Sequence, residues 1–285
     1  MDDPRRALKL VPTLSGEPYL LTEEGDCWRV YEYITDSVCL DAAESAEDLR
    51  QSGVAFGMFQ NQLADFPAAT LVETIPHFHD TPDRYRIFRE AIAEDRAGRL
   101  ASVQEDVDRY LAYEKDADVL HALLRKGEIP LRVTHNDTKL TNVMLDEATR
   151  EPLCVIDLDT VMPGLAAHDY GDAIRFGAST AAEDEPDLSK VEMSLEMYEA
   201  FTEGFLSACG DRLTDTEIDT LPWGAKLMTL ECGVRFLTDY LNGDVYFHVK
   251  YPEHNLDRCR TQITLVEDME TKWDEMNAII AQLSR

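Results

Sequence analysis

The sequence predicts an α+β fold. Extended, turn-punctuated stretches are confined to residues 8–34, after which the chain reads as one helical pattern after another. Strand and helix patterns do not alternate as a doubly wound sheet requires. A third observation is local: around residues 129–159 two apolar runs deliver and close a polar loop, a short β element inside helical surroundings. With 285 residues and 44% apolar content, the chain is long enough for one large domain or two closely packed lobes around a substantial core.

Taken in order, Leu8 to Val11, Tyr19 to Leu21 and Cys27 to Ile34 read as strands, the last two joined by a Glu24-Gly25-Asp26 turn. Such a hairpin is marginal in water and needs a second layer to cover it. A helical pattern begins at Asp41, with Leu49, Phe56, Phe59, Leu63 and Phe66 on one stripe, and ends at Pro67. Thr74 to Pro82 is rich in helix breakers. His77 and His79 alternate within it, but no third metal ligand stands nearby, so they are expected to hydrogen-bond the loop. Helices are expected over 83–97 and 101–125, then a strand over Ile129 to Val133. Past Asp159, the run Thr160 to Gly164 breaks regular structure. The next helix, from His168, carries Asp169 and Asp172 in its first turn, where acids complement the helix dipole. Residues 179–188 are acidic and expected to be a solvated loop. Helices follow over 189–208, 214–242 and 255–283, the last with Ile263, Val266, Trp273 and Ile280 along one face.

Composition excludes some partners. Twenty-seven Lys and Arg stand against 56 Asp and Glu, a formal net charge of −29, which disfavours nucleic acid and anionic membrane surfaces. A phosphate-handling protein with this field must rely on Mg²⁺ and a few local cations. No apolar run approaches the roughly 20 residues of a membrane span, and the polar start from Met1 to Arg6 is unlike a signal peptide, so a cytoplasmic location is expected. Six scattered cysteines without a C-x-x-C pair suit reduced, mostly buried thiols.

The chemistry concentrates in Val133-Thr134-His135-Asn136-Asp137-Thr138-Lys139-Leu140-Thr141-Asn142-Val143-Met144-Leu145 and in Val155-Ile156-Asp157-Leu158-Asp159. Asp137, Asn142 and Asp157 offer the side-chain oxygens that a hydrated Mg²⁺ and a substrate hydroxyl need. H-x-D-x-x-x-x-N followed by an Asp one hairpin later matches the catalytic loop and metal Asp of kinase-type phosphotransferases. A glycoside hydrolase using Asp157 with Asp159, or Asp169 with Asp172, would explain neither Asn142 nor the H-x-D spacing. A sulfatase is disfavoured because none of the cysteines lies in a C-x-[P/A]-x-R context.

These runs, together with HDYGDAIRFGAST, ECGVRFLTDYLNGDVYF and KYPEHNLDRCRTQ, resemble the aminoglycoside phosphotransferase and choline kinase group, and within it the N-acetylhexosamine 1-kinase family. The likeness runs from about Leu10 to the C-terminus. It implies a protein-kinase-like fold with a truncated small β lobe and hinge over 1–34, followed over 35–285 by a large, mainly helical lobe. It also implies ATP as co-substrate, Mg²⁺ as cofactor, and transfer to the anomeric hydroxyl of N-acetylglucosamine or N-acetylgalactosamine. Asp137 would be the catalytic base, Lys139 would offset charge on the moving phosphoryl group, and Asn142 and Asp157 would hold Mg²⁺. The backbone of Glu32, Tyr33 and Ile34 would meet adenine. Arg235 and Tyr246 match positions that hold the sugar, although a plain structural role fits them equally well. His135 and Asp169 would support the loop, and Asp159, on the strand face of Asp157, would assist there or be merely hydrogen-bonded. No Gly-rich phosphate-covering loop precedes residue 34. The alternatives are therefore a non-catalytic kinase-like protein, or a kinase for another small alcohol or aminoglycoside. The exposed edge expected of an incomplete small sheet suggests a homodimer.

Overall fold

A helix over Ala166–Gly177 lies between two apolar cores and contributes side chains to both. The structure, a computed structural model, describes residues 3–284; Met1, Asp2 and Arg285, at the ends of the two expected lobes, lie outside the described residues. Its element order is β1 (Leu20–Leu21), β2 (Cys27–Trp28), β3 (Ser37–Val38), α1 (Ala46–Gln62), α2 (Thr81–Glu94), α3 (Gln104–Ala112), α4 (Val119–Lys126), β4 (Arg132–Thr134), β5 (Val143–Asp146), β6 (Pro152–Val155), β7 (Met162–Gly164), α5 (Ala166–Gly177), α6 (Leu195–Cys209), α7 (Asp215–Asp219), α8 (Leu221–Asn242), α9 (His254–Thr271) and α10 (Trp273–Leu283). The fold is α+β, a small N-terminal β region followed by a large helical lobe, in a protein-kinase-like arrangement.

The N-terminal strands are shorter than the alternation suggests. β1 and β2 pair antiparallel, Leu20 with Trp28 and Leu21 with Cys27, and Leu10 bridges Tyr31. The rest of 8–34 forms turns and extended chain without a continuous ladder, and among the described residues no third strand covers the hairpin: Leu20, Leu21, Trp28 and Val30 stay exposed. Where the segment meets the body, Ile34 is buried with Leu153 and Cys154, and Leu8 packs on them. Directly after it β3 joins β5, which pairs in turn with β6.

Three expected helices are interrupted, each for a physical reason. Over 101–125, the carbonyl of Tyr110 accepts from the Tyr85 hydroxyl at 3.0 Å and from the N–H of Tyr113 at 3.0 Å, so the chain tightens into a 3₁₀ turn between α3 and α4. Over 214–242, Pro222 cannot donate and is tolerated only in a first turn, so α8 starts afresh behind Thr220. Over 255–283 the break falls at Lys272, whose ammonium reaches the Met193 carbonyl at 2.8 Å. The first long helix starts at Ala46 rather than near Asp41, because Ser45 caps it by accepting from the N–H of Asp48. The acidic 179–188 stretch is not a free solvated loop: Glu183 pairs with Arg175 at 2.7 Å, and Asp184 meets His254 at 3.0 Å.

Helix α1 lies along α6, and α8 lies against both α5 and α9. One core gathers Leu49, Phe56, Tyr170, Phe201, Phe205 and Met269; a second gathers Tyr85, Phe88, Tyr110, Leu227, Leu237 and Ile263. Helix α5 contributes to both, through Tyr170 and Ile174 on one side and Ala167 on the other. Its crossing with α8 is close enough that a Cβ on Gly171 would overlap the Gly224 carbonyl, and one on Gly224 would overlap that of Ala167. Gly171→Ala or Gly224→Ala is therefore expected to cost about 3 kcal/mol. Gly210→Ala, with only ordinary contacts to Leu206 at 3.6 and 3.7 Å, should be near neutral. Urea unfolding of the three variants checks this, and equal midpoints would contradict the close crossing.

Candidate active site

Strand β4 pairs with β7 and releases the chain into the polar loop. Asn136 then takes a left-handed conformation, φ 65°, which Asn tolerates better than most residues. Its amide donates to the Thr160 carbonyl at 2.9 Å and to that of Thr134 at 3.3 Å. The backbone N–H groups of His135 and Asn136 donate to the two oxygens of Asp169 at 2.9 and 2.7 Å, and Gln60 Nε2 adds a third donor at 2.7 Å. One step on, the Thr138 N–H donates to Asp172 at 3.0 Å. Helix α5 starts at Ala166 rather than His168, so Asp169 lies in its first turn and Asp172 in its second, and beyond complementing the dipole the two acids anchor the loop. Burial pushes the Asp169 carboxyl above the usual carboxylate range, while the three donors oppose that push.

Asp137 projects from this anchored turn and is half-buried. Lys139 Nζ lies 2.9 Å from its Oδ2. Asn142 Nδ2 donates to Asp137 twice, to the main-chain oxygen at 2.8 Å and to Oδ2 at 3.1 Å. His135 Nε2 lies 2.9 Å from the Ile156 carbonyl, and Nδ1 accepts from the Asp137 N–H at 3.3 Å, which fixes a neutral imidazole protonated at Nε2. The Ile156 N–H donates to the Asn142 carbonyl at 2.9 Å, so Asp157 follows directly across the β5–β6 pair from Asn142. Asp157 is left-handed, φ 60°, and exposed.

Among the described residues no three His, Cys, Asp or Glu cluster as a metal centre. The donor chemistry nevertheless fits Mg²⁺. The hydrogen bonds of the Asn142 amide nitrogen leave its Oδ1 free, and no described hydrogen bond occupies the Asp157 carboxylate. One carboxylate and an amide oxygen, completed by water and phosphate, form a set that Mg²⁺ accepts.

Asp159 departs from the sequence reading. The left-handed turn at Asp157 starts a 3₁₀ turn over Leu158–Thr160, so the two acids do not share a strand face, and Asp159 pairs instead with Arg29 from the hairpin.

The other expected contacts lie around two cavities. Arg235 and Tyr246 line one of about 280 Å³ with Phe78, Arg84 and Phe247. The Arg235 guanidinium sits 5.4 to 5.8 Å from the rings of Phe78, Tyr246 and Phe247, with no carboxylate partner among the described residues. Tyr246 is 70% exposed. Its loop is shaped by Asp239, which accepts from the N–H groups of Val245, Tyr246 and Phe247 at 2.9 to 3.0 Å. In the hinge, the Glu32 N–H donates to the Lys9 carbonyl at 2.8 Å and the Ile34 carbonyl accepts from Ser37 Oγ at 2.8 Å. The Ile34 side chain is committed to packing, and Tyr33 is 85% exposed. Beside the hinge, an apolar cavity of about 290 Å³ runs between Ala7, Leu8, Phe59, Leu153 and Val155 and reaches Leu158, next to Asp157. Gln60 and Asp239 were not identified from the sequence, and Asp172 was read there only as a helix-dipole acid or as half of a carboxylate pair. The partners of Gln60 and Asp172 lie 109 and 34 residues away, beyond any local pattern, whereas Asp239 closes a nearby loop whose shape no residue spacing announces.

The profile of the phosphotransferase enzyme family matches residues 7–203. The chain belongs to that family. This phosphotransferase is also similar to a microcompartment-associated aminopropanol kinase, with TM-score 0.58 and 16% identity over 97% of this chain and 78% of that one. An aminoglycoside phosphotransferase from Alicyclobacillus acidocaldarius gives TM-score 0.55 and 14% identity over 98% and 76%. A spectinomycin phosphotransferase solved with ADP and spectinomycin gives 0.53 and 14% over 98% and 77%. At these identities the structural likeness establishes the fold. The family supplies the chemical class, ATP- and Mg²⁺-dependent phosphoryl transfer. No helix among the described residues is long and apolar enough to cross a membrane.

Removing the loop anchor leaves buried N–H donors without an acceptor, at about 1–3 kcal/mol each. Asp169→Ala is accordingly expected to lower unfolding free energy in urea by about 3 kcal/mol or more, and a stability equal to the parent would contradict the anchoring role.

Proposed function

We propose that this phosphotransferase moves the γ-phosphoryl group of ATP to a hydroxyl of a neutral sugar, namely the anomeric hydroxyl of N-acetylglucosamine or N-acetylgalactosamine. The observation that carries the reading is the Asp137 carboxylate held between Lys139 and Asn142 on a rigid turn. In that role Asp137 orients the acceptor hydroxyl and takes its proton as the oxygen meets phosphorus. Lys139 offsets charge on the moving phosphoryl group. Asn142 and Asp157 would hold Mg²⁺, which when bound neutralises phosphate charge. The apolar cavity ending at Leu158 suits a planar adenine, with Tyr33 of the hinge offering backbone groups at its side.

The choice of a neutral acceptor rests on the cavity around Arg235. A cationic amino alcohol or aminoglycoside wants an uncommitted carboxylate. In this lining Asp239 already serves three backbone N–H groups and Asn255. Arg235 points the opposite way electrostatically, because a guanidinium without a carboxylate partner favours hydroxyl and acetamido oxygens and repels ammonium. Tyr246 and Phe247 add apolar faces of the kind a sugar ring packs against.

Two measurements test this. ADP release with a panel of acceptors should favour a 2-acetamido sugar over aminopropanol, ethanolamine, choline or an aminoglycoside. Preference for an amine would overturn the acceptor assignment and support the kinase for another small alcohol. Asp137→Asn should lower kcat by about 10²–10⁴-fold, with ATP binding retained. Failure of the parent protein to transfer phosphate at high ATP would instead favour the non-catalytic alternative.

A further inference from the structure

His79 touches both α8 and the turn before Asp137. Its Nδ1 lies 2.9 Å from Glu231 Oε1, and its Nε2 lies 3.2 Å from the Asn136 main-chain oxygen. Both neighbours are acceptors. With the Glu231 carboxylate ionised, a neutral imidazole, which has one N–H, can serve only one of them, so the two contacts together select the imidazolium. The pair is shielded, with 10% of the His79 side chain and 2% of Glu231 exposed. The second oxygen of Glu231 accepts from Thr81 Oγ1 at 2.8 Å, which fixes the carboxylate independently of His79.

The oxygen that His79 holds has a particular place. The Asn136 carbonyl and the Asp137 N–H are the two ends of one peptide unit. His135 Nδ1 takes the N–H end at 3.3 Å, and His79 takes the oxygen end. The orientation of that peptide unit sets the direction in which Asp137 leaves the left-handed Asn136.

We propose that protonated His79, locked by Glu231, is a positioning residue for the Asn136–Asp137 peptide, so that phosphoryl transfer by this loop requires the charged form of His79. The inference rests on the phosphotransfer reading for its kinetic consequence but not for its structural one.

The groups around the pair set the sign. Burial disfavours the imidazolium, but Glu231, with Asp172 on α5 and the Asn136 carbonyl, outweighs it and holds His79 above the usual histidine range. Burial likewise disfavours the Glu231 carboxylate, while His79, Arg235 and Arg84 keep it below the usual range. His168, whose ring centre is 5.4 Å from that of His79, is pushed well below by burial and then by His79 itself, with His121 beyond it at 6.0 Å. His79 therefore carries the charge and His168 stays neutral. As pH rises through the elevated pKa of His79, one of its two hydrogen bonds must be lost. Glu231→Gln removes the main opposing charge, so His79 should then deprotonate at lower pH.

The test uses the full chain with histidine-selective and backbone ¹⁵N labelling. In the parent, His79 should show both ring nitrogens protonated at neutral pH, and the Asp137 amide resonance should titrate with it. Glu231→Gln should lower that midpoint by about one pH unit or more, and the alkaline fall in kcat with N-acetylglucosamine should move by the same amount. His79→Gln should lower kcat about 10-fold and abolish that alkaline limb. A singly protonated His79 at neutral pH, or an Asp137 amide that ignores its titration, would overturn the proposal whether or not turnover is found. If Asp137→Asn loses transfer while Glu231→Gln and His79→Gln keep the parent's pH profile, the positioning role fails and the phosphotransfer reading stands. If Asp137→Asn keeps transfer, that reading fails, and the amide titration alone decides the pair.

Discussion

The buried carboxylate of Asp169 accepts two consecutive backbone N–H groups from the turn that precedes Asp137, and the geometry of the site follows from that interaction. A loop of this length would otherwise sample many conformations, and ordering each residue costs roughly 1–2 kcal/mol. Two N–H groups committed to one rigid acceptor remove most of that freedom. The constraint extends backwards, since Asp169 is useful only if α5 itself does not move. Helix α5 is held by its glycine-mediated crossing with α8 and by Tyr170 among Tyr198, Phe201 and Phe205. Packing in the two cores is thereby converted into the placement of one carboxylate.

The protein carries a large negative charge, yet the site does not simply inherit it. Several acidic groups near the loop are committed, Asp172 to Arg175 and the Thr138 N–H, Glu231 to His79 and Thr81, and Asp239 to the backbone of the 245–247 loop. Lys139 lies 2.9 Å from Asp137 and Arg235 lies over Tyr246, and in the proposed reaction these are cations that phosphate and acceptor oxygens would meet. A field that repels anions overall is offset at short range, where a nearby charge in a partly dry site outweighs distant screened ones.

Much of the site was legible because its residues are close in sequence. Asp137, Lys139 and Asn142 lie within six residues, and Asp157 is brought back by one short hairpin, so spacing was enough to group them. Helix existence was legible for the same reason, since apolar periodicity is local. The helix breaks were harder to read. Pro222 advertised one of them, but the interruption near Tyr113 depends on a hydroxyl from Tyr85, and the one at Lys272 on a carbonyl at Met193. The misreading of Asp159 has a similar cause: period-two alternation presumes an extended backbone, and the left-handed conformation at Asp157 ends it.

The sequence by itself determined the class of chemistry, the order of β region and helical lobe, and the grouping of Asp137, Lys139 and Asn142 on one loop. Each of these depends on side-chain type and short-range spacing, which the chain carries in any conformation. Only the tertiary structure decided that Gln60 and Asp169 meet, that Glu231 finds a histidine 152 residues earlier, and that Arg235 has no carboxylate partner among the described residues. Those outcomes depend on which faces of α1, α5 and α8 are buried together, a property of the packed whole that no local pattern encodes.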